Sequence, residues 1–128
     1  MSWWADYIGI PFADHGRDES GCDCWGLARL VYRRELGIEL PSYTDVYASV
    51  KDGAGLSGNW EAVQHAWRKN ETPSAFAIPL FRFHSGRLHV GVLVDAERML
   101  HVEAGKMACL EKVAPWRNLL QGYYVPAL

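Results

Sequence analysis

Residues 20–36, SGCDCWGLARLVYRREL, decide how the chain is organised. Cys22 and Cys24 straddle Asp23, and Leu27, Leu30, Val31 and Leu36 then recur at roughly helical spacing, with Arg29, Arg33 and Arg34 between them. The pattern predicts a helix over 25–36, closed by Gly37 as its C-cap and barred from continuing by Pro41. Cys24 then stands at a helix entry, where unpaired N–H groups and the helix dipole favour negative charge. That position lowers a thiol's pKa and makes it a nucleophile. Cys22, in the preceding loop, lacks it. Taken alone, the stretch reads equally well as a small buried side chain packed under a helix.

Working outward, residues 13–21 (ADHGRDESG) read as a polar, glycine-punctuated loop, and 51–59 (KDGAGLSGN) as a second one. NWEAVQHAWRKN (59–70) predicts a second helix, capped by Asn59, with Ala62, Val63, Ala66 and Trp67 as its apolar stripe. From Phe76 the texture changes. FAIPLFRF, LHVGVLV, RMLHVEA and MACLEKV are short β-rich runs broken by HSGR, DAE and GK, with GYYVPAL as a last strand. DAE reads as a tight hairpin turn. Helices in the first half and an antiparallel sheet in the second make an α+β fold, with N-terminal helices packed on the sheet.

At 128 residues the expectation is one domain spanning 1–128, with a core that needs no staples. Net charge is −2, from 13 basic and 15 acidic residues that are interspersed, so no phosphate-binding face is indicated and nucleic acid is not an expected partner. No stretch approaches the ~20 apolar residues of a membrane span. The start, MSWWADYIGIPF, lacks the basic and apolar regions of a signal peptide. Three cysteines, two of them a single residue apart, predict reduced thiols and synthesis in a cytoplasm.

A thiol nucleophile needs a base, and the strand half offers two. His89 begins LHVGVLV and His101 lies in the next predicted strand, so antiparallel pairing would set them on one face. Along the first of these strands, His89, Gly91 and Leu93 share a face, and Val90, Val92 and Val94 share the other. His89 would take the thiol proton, and His101 would bond its far ring nitrogen and fix the tautomer. The backbone N–H of Cys24 is a ready oxyanion donor.

YIGIPFADHGRDESGCDCWGLARLVYRRELGIELPSY resembles the nucleophile region of NlpC/P60 cysteine peptidases, and HVGVLVDAERMLHVEAG resembles that family's histidine strands. The CWGL variant, LPSY and the WRNLLQGYYVP ending are similar to phage and prophage tail-associated members. The resemblance implies a papain-like core and hydrolysis of peptidoglycan stem peptides after D-γ-glutamate. It places the nucleophile on Cys24, the base on His89 and the third polar residue on His101, with no cofactor. It also implies action at the cell wall, with phage tail proteins as delivery partners. Asp23 matches the family motif as well. Phe12 stands where the family has a tyrosine near the oxyanion site, leaving Tyr7 as a substitute hydroxyl, and AIPLF replaces a usual Gly-Asp.

Three rival readings remain at this level. Cys22, Cys24, His89 and His101 are a valid zinc donor set, although one intervening residue is short for paired zinc cysteines. The missing hydroxyl at Phe12 suits a catalytically weak structural component of a phage tail. An acyltransferase would use the same thiolate with an amine or hydroxyl acceptor. Among the other candidates, His15 and His84 read as solvated loop residues, and Cys109 as a buried, inert strand residue. Asp14, Asp18 and Glu19 read as a solvated loop, and Trp3, Trp4, Tyr43 and Tyr47 chiefly as core. Arg17 and Arg29 could meet a substrate carboxylate, although most such arginines are simply exposed surface.

Overall fold

The computed structural model describes residues 2–40 and 67–126. The predicted loop over 51–59, the 59–66 part of the second predicted helix, Pro41, Tyr43, Tyr47 and His65 lie outside the described residues. A 3₁₀ turn, Trp3–Tyr7, leads to a short hairpin of β1 (Arg17–Asp18) and β2 (Gly21–Cys22). Helix α1 (Cys24–Val31) follows and runs into a π turn, Tyr32–Leu36, which Gly37 closes in the left-handed conformation at φ 67°. A glycine adopts that conformation without the steric cost of a Cβ, so the predicted cap holds.

The strands are β3 (Trp67–Asn70), β4 (Ile78–Arg82), β5 (Leu88–Val90), β6 (Val92–Leu93), β7 (Arg98–His101), β8 (Cys109–Lys112) and β9 (Leu120–Pro126). All pair antiparallel, in the orders β3-β9-β4-β5 and β6-β7-β8. The single sheet expected from the sequence is therefore two, because the LHVGVLV run is interrupted at Gly91. The DAE segment joins β6 to β7, where Asp95 accepts the backbone N–H of Glu97 and of Arg98.

Trp67–Asn70 corrects the helix expected over 59–70. These residues are strand, laddered to Tyr123–Pro126 of β9. A ladder partner far along the chain outweighs a local helical spacing. Trp67 also meets Trp25 edge-on at 5.5 Å, so its apolar surface is used by the core, through a strand.

Helix α1 buries every residue except Arg29, which is only partly exposed. Leu27, Leu30 and Val31 pack with Ile78, Leu80, Val90, Val92, Val94, Leu100 and Val102 in the larger core cluster. Burying a side chain of that size contributes roughly 1.5–3 kcal/mol. A second cluster holds Ala77, Phe81, Leu93, Met99 and Val113, covered by Trp116, Leu119, Leu120, Tyr123 and Val125. The period-2 pattern sorts residues between them: Ile78 and Leu80 join one, Ala77 and Phe81 the other.

Candidate active site

The N-terminus of α1 is held by Asp23. Its carboxylate accepts the Gly26 N–H at 2.7 Å, the Arg17 guanidinium at 2.9 Å and the His15 N–H at 3.1 Å. This is an N-cap that is also paired with a cation, and it sets where the helix begins. Cys24 is the first helical residue, so its backbone N–H has no intrahelical partner. Asp23 is buried and does not line the cleft in front of Cys24, and Arg17 is committed to it. Arg29 is likewise occupied, by the Leu40 carbonyl and Glu39.

The strands bring the two histidines together. His89 Nε2 lies 2.9 Å from His101 Nδ1. β6 pairs with β7 as Val92 with Leu100 and Leu93 with Met99. Gly91, at the end of that ladder, lies against Leu100 and His101, while His89 is on β5 of the other sheet, so the two histidines meet between the sheets and not on the paired strands expected from the sequence. A Cβ at Gly91 would stand 3.1 Å from the Leu100 carbonyl oxygen and 3.3 Å from the His101 Cβ. The missing side chain therefore lets this segment pack closely against Leu100, Met99 and the base of His101.

The series does not stop at His101. Its Nε2 lies 2.7 Å from Glu111 Oε1, and the Trp116 indole N–H donates to Glu111 Oε2 at 3.2 Å. Trp116 also stacks on His89 at 5.5 Å and stands edge-on to His101 at 5.2 Å. Glu111 and Trp116 were missed in the sequence. Glu111 shares a face of β8 with Cys109, and Cys109 is the register partner of His101, so the pairing of β7 with β8 is the signal that finds it.

This series dictates proton positions. A carboxylate only accepts, so His101 carries a proton on Nε2, and in its neutral form Nδ1 is bare. The bare Nδ1 accepts from His89 Nε2–H. That leaves Nδ1 of His89 as the unprotonated ring nitrogen. Burial alone would raise the Glu111 pKa, but the hydrogen bonds from Trp116 and His101 outweigh it and hold the carboxyl below its ordinary value. The anchor stays ionised at neutral pH.

Cys24 and His89 line one cleft of about 80 Å³, together with Phe12, Phe83, Arg87, Leu88, Val102, Glu103 and Ala104. Phe12 brings a ring and no hydroxyl. Tyr7 is buried and donates its hydroxyl to Glu35 at 2.7 Å, and it does not line the cleft. Arg87 is the cation at the cleft, its guanidinium 5.2 Å from the Phe83 ring centre, and the sequence reading did not single it out.

The pKa expectation for Cys24 is overturned. Burial, followed by the Asp23 charge, pushes its thiol up to about 12, against hydrogen bonds from the backbone of Val90 and Trp25. Burial, then His101 and Arg87, pulls His89 down to about 3. A helix terminus contributes roughly 0.3–1 kcal/mol, under one pKa unit, whereas full burial moves a group by up to about 3–5 units. The resting pair is therefore a neutral thiol and a neutral imidazole.

Cys22 is buried and its thiol is pushed up to about 12 by burial. The quartet of Cys22, Cys24, His89 and His101 does not converge as a metal donor set. Among the described residues the donors that do converge are His101, Cys109 and Glu111. Cys109 is on a strand, as expected, but half-buried instead of enclosed. Trp3 stacks on Phe76 at 4.8 Å, in keeping with a packing role.

The NlpC/P60 family model matches residues 9–120. A murein DD-endopeptidase/murein LD-carboxypeptidase of Escherichia coli (strain K12) is 28% identical over 101 residues, covering 79% of this chain and 46% of that protein. The chain thus spans about half the length of the curated relatives it matches. The NlpC/p60 domain of a peptidoglycan hydrolase, SagA, superposes with a TM-score of 0.63 at 21% identity, covering 94% of this chain and 90% of that one. A lipoprotein-like NLP/P60 family protein of Staphylococcus aureus gives a TM-score of 0.64 at 21% identity, over 93% of this chain and 37% of that one. The fold is the α+β, papain-like core of those structures, and this chain belongs to the NlpC/P60 family.

Proposed function

We propose that the protein is a cysteine peptidase that hydrolyses amide bonds in bacterial cell-wall stem peptides. Cys24 is the nucleophile, His89 the base and then acid, and His101 the group that fixes the His89 tautomer. The observation that carries this reading is the series Glu111–His101–His89, whose remaining unprotonated nitrogen belongs to a residue sharing a cleft with Cys24. The named activities of the Escherichia coli and SagA relatives, both directed at murein or peptidoglycan, support the substrate class.

Because both groups rest neutral, proton transfer accompanies attack instead of preceding it. The Cys24 thiol passes its proton to His89 Nδ1 as sulfur bonds the amide carbon. The oxyanion is met by the Cys24 backbone N–H; a donor of this kind is worth about 10²–10³-fold in rate. The imidazolium then protonates the leaving amine, and a thioester remains. Water, deprotonated by His89, releases the acid and restores the thiol. Phe12, Phe83 and Val102 wall the cleft with apolar surface, and Arg87 is the group we assign to a substrate carboxylate. We place the cut after D-γ-glutamate and delivery with a phage tail, both on the motif resemblance.

The test is digestion of purified muropeptides followed by mass spectrometry, with wild type, Cys24→Ala and His89→Ala. Cleavage by wild type alone supports the proposal, and fragment masses separate a D-γ-glutamyl cut from a DD cut. Inert wild type that nevertheless binds sacculi would favour the structural tail component. Products joined to an added amine would favour an acyltransferase.

A further inference from the structure

The outer end of the hydrogen-bonded series is also a donor set of another kind. His101 Nε2, the Cys109 sulfur and a Glu111 carboxylate oxygen all lie within 4.8 Å of one another. Register sets His101 across from Cys109, and Glu111, two residues along β8, shares the Cys109 face. Imidazole, thiolate and carboxylate on paired strands are three of the four ligands of an open tetrahedral Zn²⁺ site, with water completing it. Cys109 and Glu111 are partly exposed, and neither lines the cleft that holds Cys24.

We propose that His101, Cys109 and Glu111 bind a thiophilic divalent cation of the Zn²⁺ class, and that its binding switches off His89 as a base. The switching half rests on the catalytic reading given above. Ligation displaces one proton, from the Cys109 thiol. Ligation at His101 Nε2 requires that nitrogen to give up its proton, so the proton of the metal-bound imidazole sits on Nδ1 and is donated to His89 Nε2. His89 now accepts at Nε2 and holds its own proton on Nδ1. Each imidazole keeps one proton, exchanged through solvent from one ring nitrogen to the other. A protonated Nδ1 has no lone pair for the Cys24 thiol, and attack stops. Glu111 turns from hydrogen-bond acceptor to ligand with the same charge.

The probe is Co²⁺ alone, titrated into the full chain of wild type, Cys24→Ala and Cys109→Ser, with the thiolate-to-cobalt absorption as the readout. The band is expected in wild type and Cys24→Ala and absent from Cys109→Ser, whose folding is checked by circular dichroism. A band that survives in Cys109→Ser, or that vanishes in Cys24→Ala, puts the cation elsewhere and overturns the proposal, as does no band in wild type. With Zn²⁺, ¹⁵N NMR should show the His89 proton moving from Nε2 to Nδ1. Cys109→Ser should need at least about tenfold more Zn²⁺ for equal inhibition of peptide cleavage, the scale of losing one ligand or its support. A His89 tautomer unchanged by bound Zn²⁺ overturns the switch. If no variant cleaves peptide, the peptidase reading is what has failed, and the cobalt band and the NMR signal still decide the site and the switch.

Discussion

At the scale of single residues, the pairing of Cys24 with His89 is governed more by burial than by the helix terminus. With the thiol pushed up to about 12, iodoacetamide alkylation of Cys24 should be slow at pH 7 and climb steadily through pH 9–10, read by mass spectrometry. Rapid alkylation below pH 7 would restore the preformed thiolate expected from the helix position. Glu111 acts on catalysis only through His101. Glu111→Gln can present an amide N–H₂ to His101 and so loosens the tautomer preference. We expect kcat to fall about 10–100-fold with KM little changed, the usual cost of removing an outer hydrogen-bond partner. The loss should be accompanied by a mixed His89 tautomer in ¹⁵N NMR, which a merely structural role would not produce. Arg87→Ala, by contrast, should raise KM more than it lowers kcat.

At the scale of elements, α1 and the β6–β7 pair carry the site. Leu30 is enclosed on the buried face of α1, and Leu30→Ala should cost about 2–5 kcal/mol in a denaturant titration. Gly91 tests a different property. Its Cβ position is within 3.1–3.3 Å of Leu100, Met99 and His101 atoms, so Gly91→Ala forces the strands apart by a few tenths of an ångström. Overpacking of this kind costs roughly 1–3 kcal/mol. Activity should suffer more, by up to about 10²-fold, because the rings are displaced from their hydrogen-bonding distance. Equal and small effects on both readouts would show that Gly91 does not set the spacing.

At the scale of the whole molecule, a buried neutral histidine makes stability depend on pH. The folded pKa of His89 is about 3, below the ordinary value of 6.5. Between those values the unfolded chain binds a proton that the folded one does not, so stability rises with pH and is lost on acidification. The slope contributed by His89 is at most about 1.4 kcal/mol per pH unit across that window. His89→Gln should flatten the fall of Tm between pH 6.5 and pH 4 relative to wild type. Parallel curves for the two proteins would place the protonation elsewhere.

The sequence by itself determined that a helix starts at Cys24 and that strands follow Phe76, whereas the adjoining strands expected for His89 and His101 are β5 and β7 of two different sheets. The helix start and the strand texture are local periods, and the residues that set them lie within a few positions of one another. It mis-assigned Trp67–Asn70, whose strand depends on β9 at the other end of the described chain. Glu111 and Trp116 were not legible for the same reason, since nothing near them in sequence marks a glutamate and a tryptophan as partners of a histidine. Only the packing of β7 against β8 and the turn at Ala114–Trp116 brings them to His101. The protonation of the pair was likewise decided by tertiary structure. A helix terminus can be read from sequence, but the desolvation that opposes it depends on how much of the molecule closes over the sulfur and the ring.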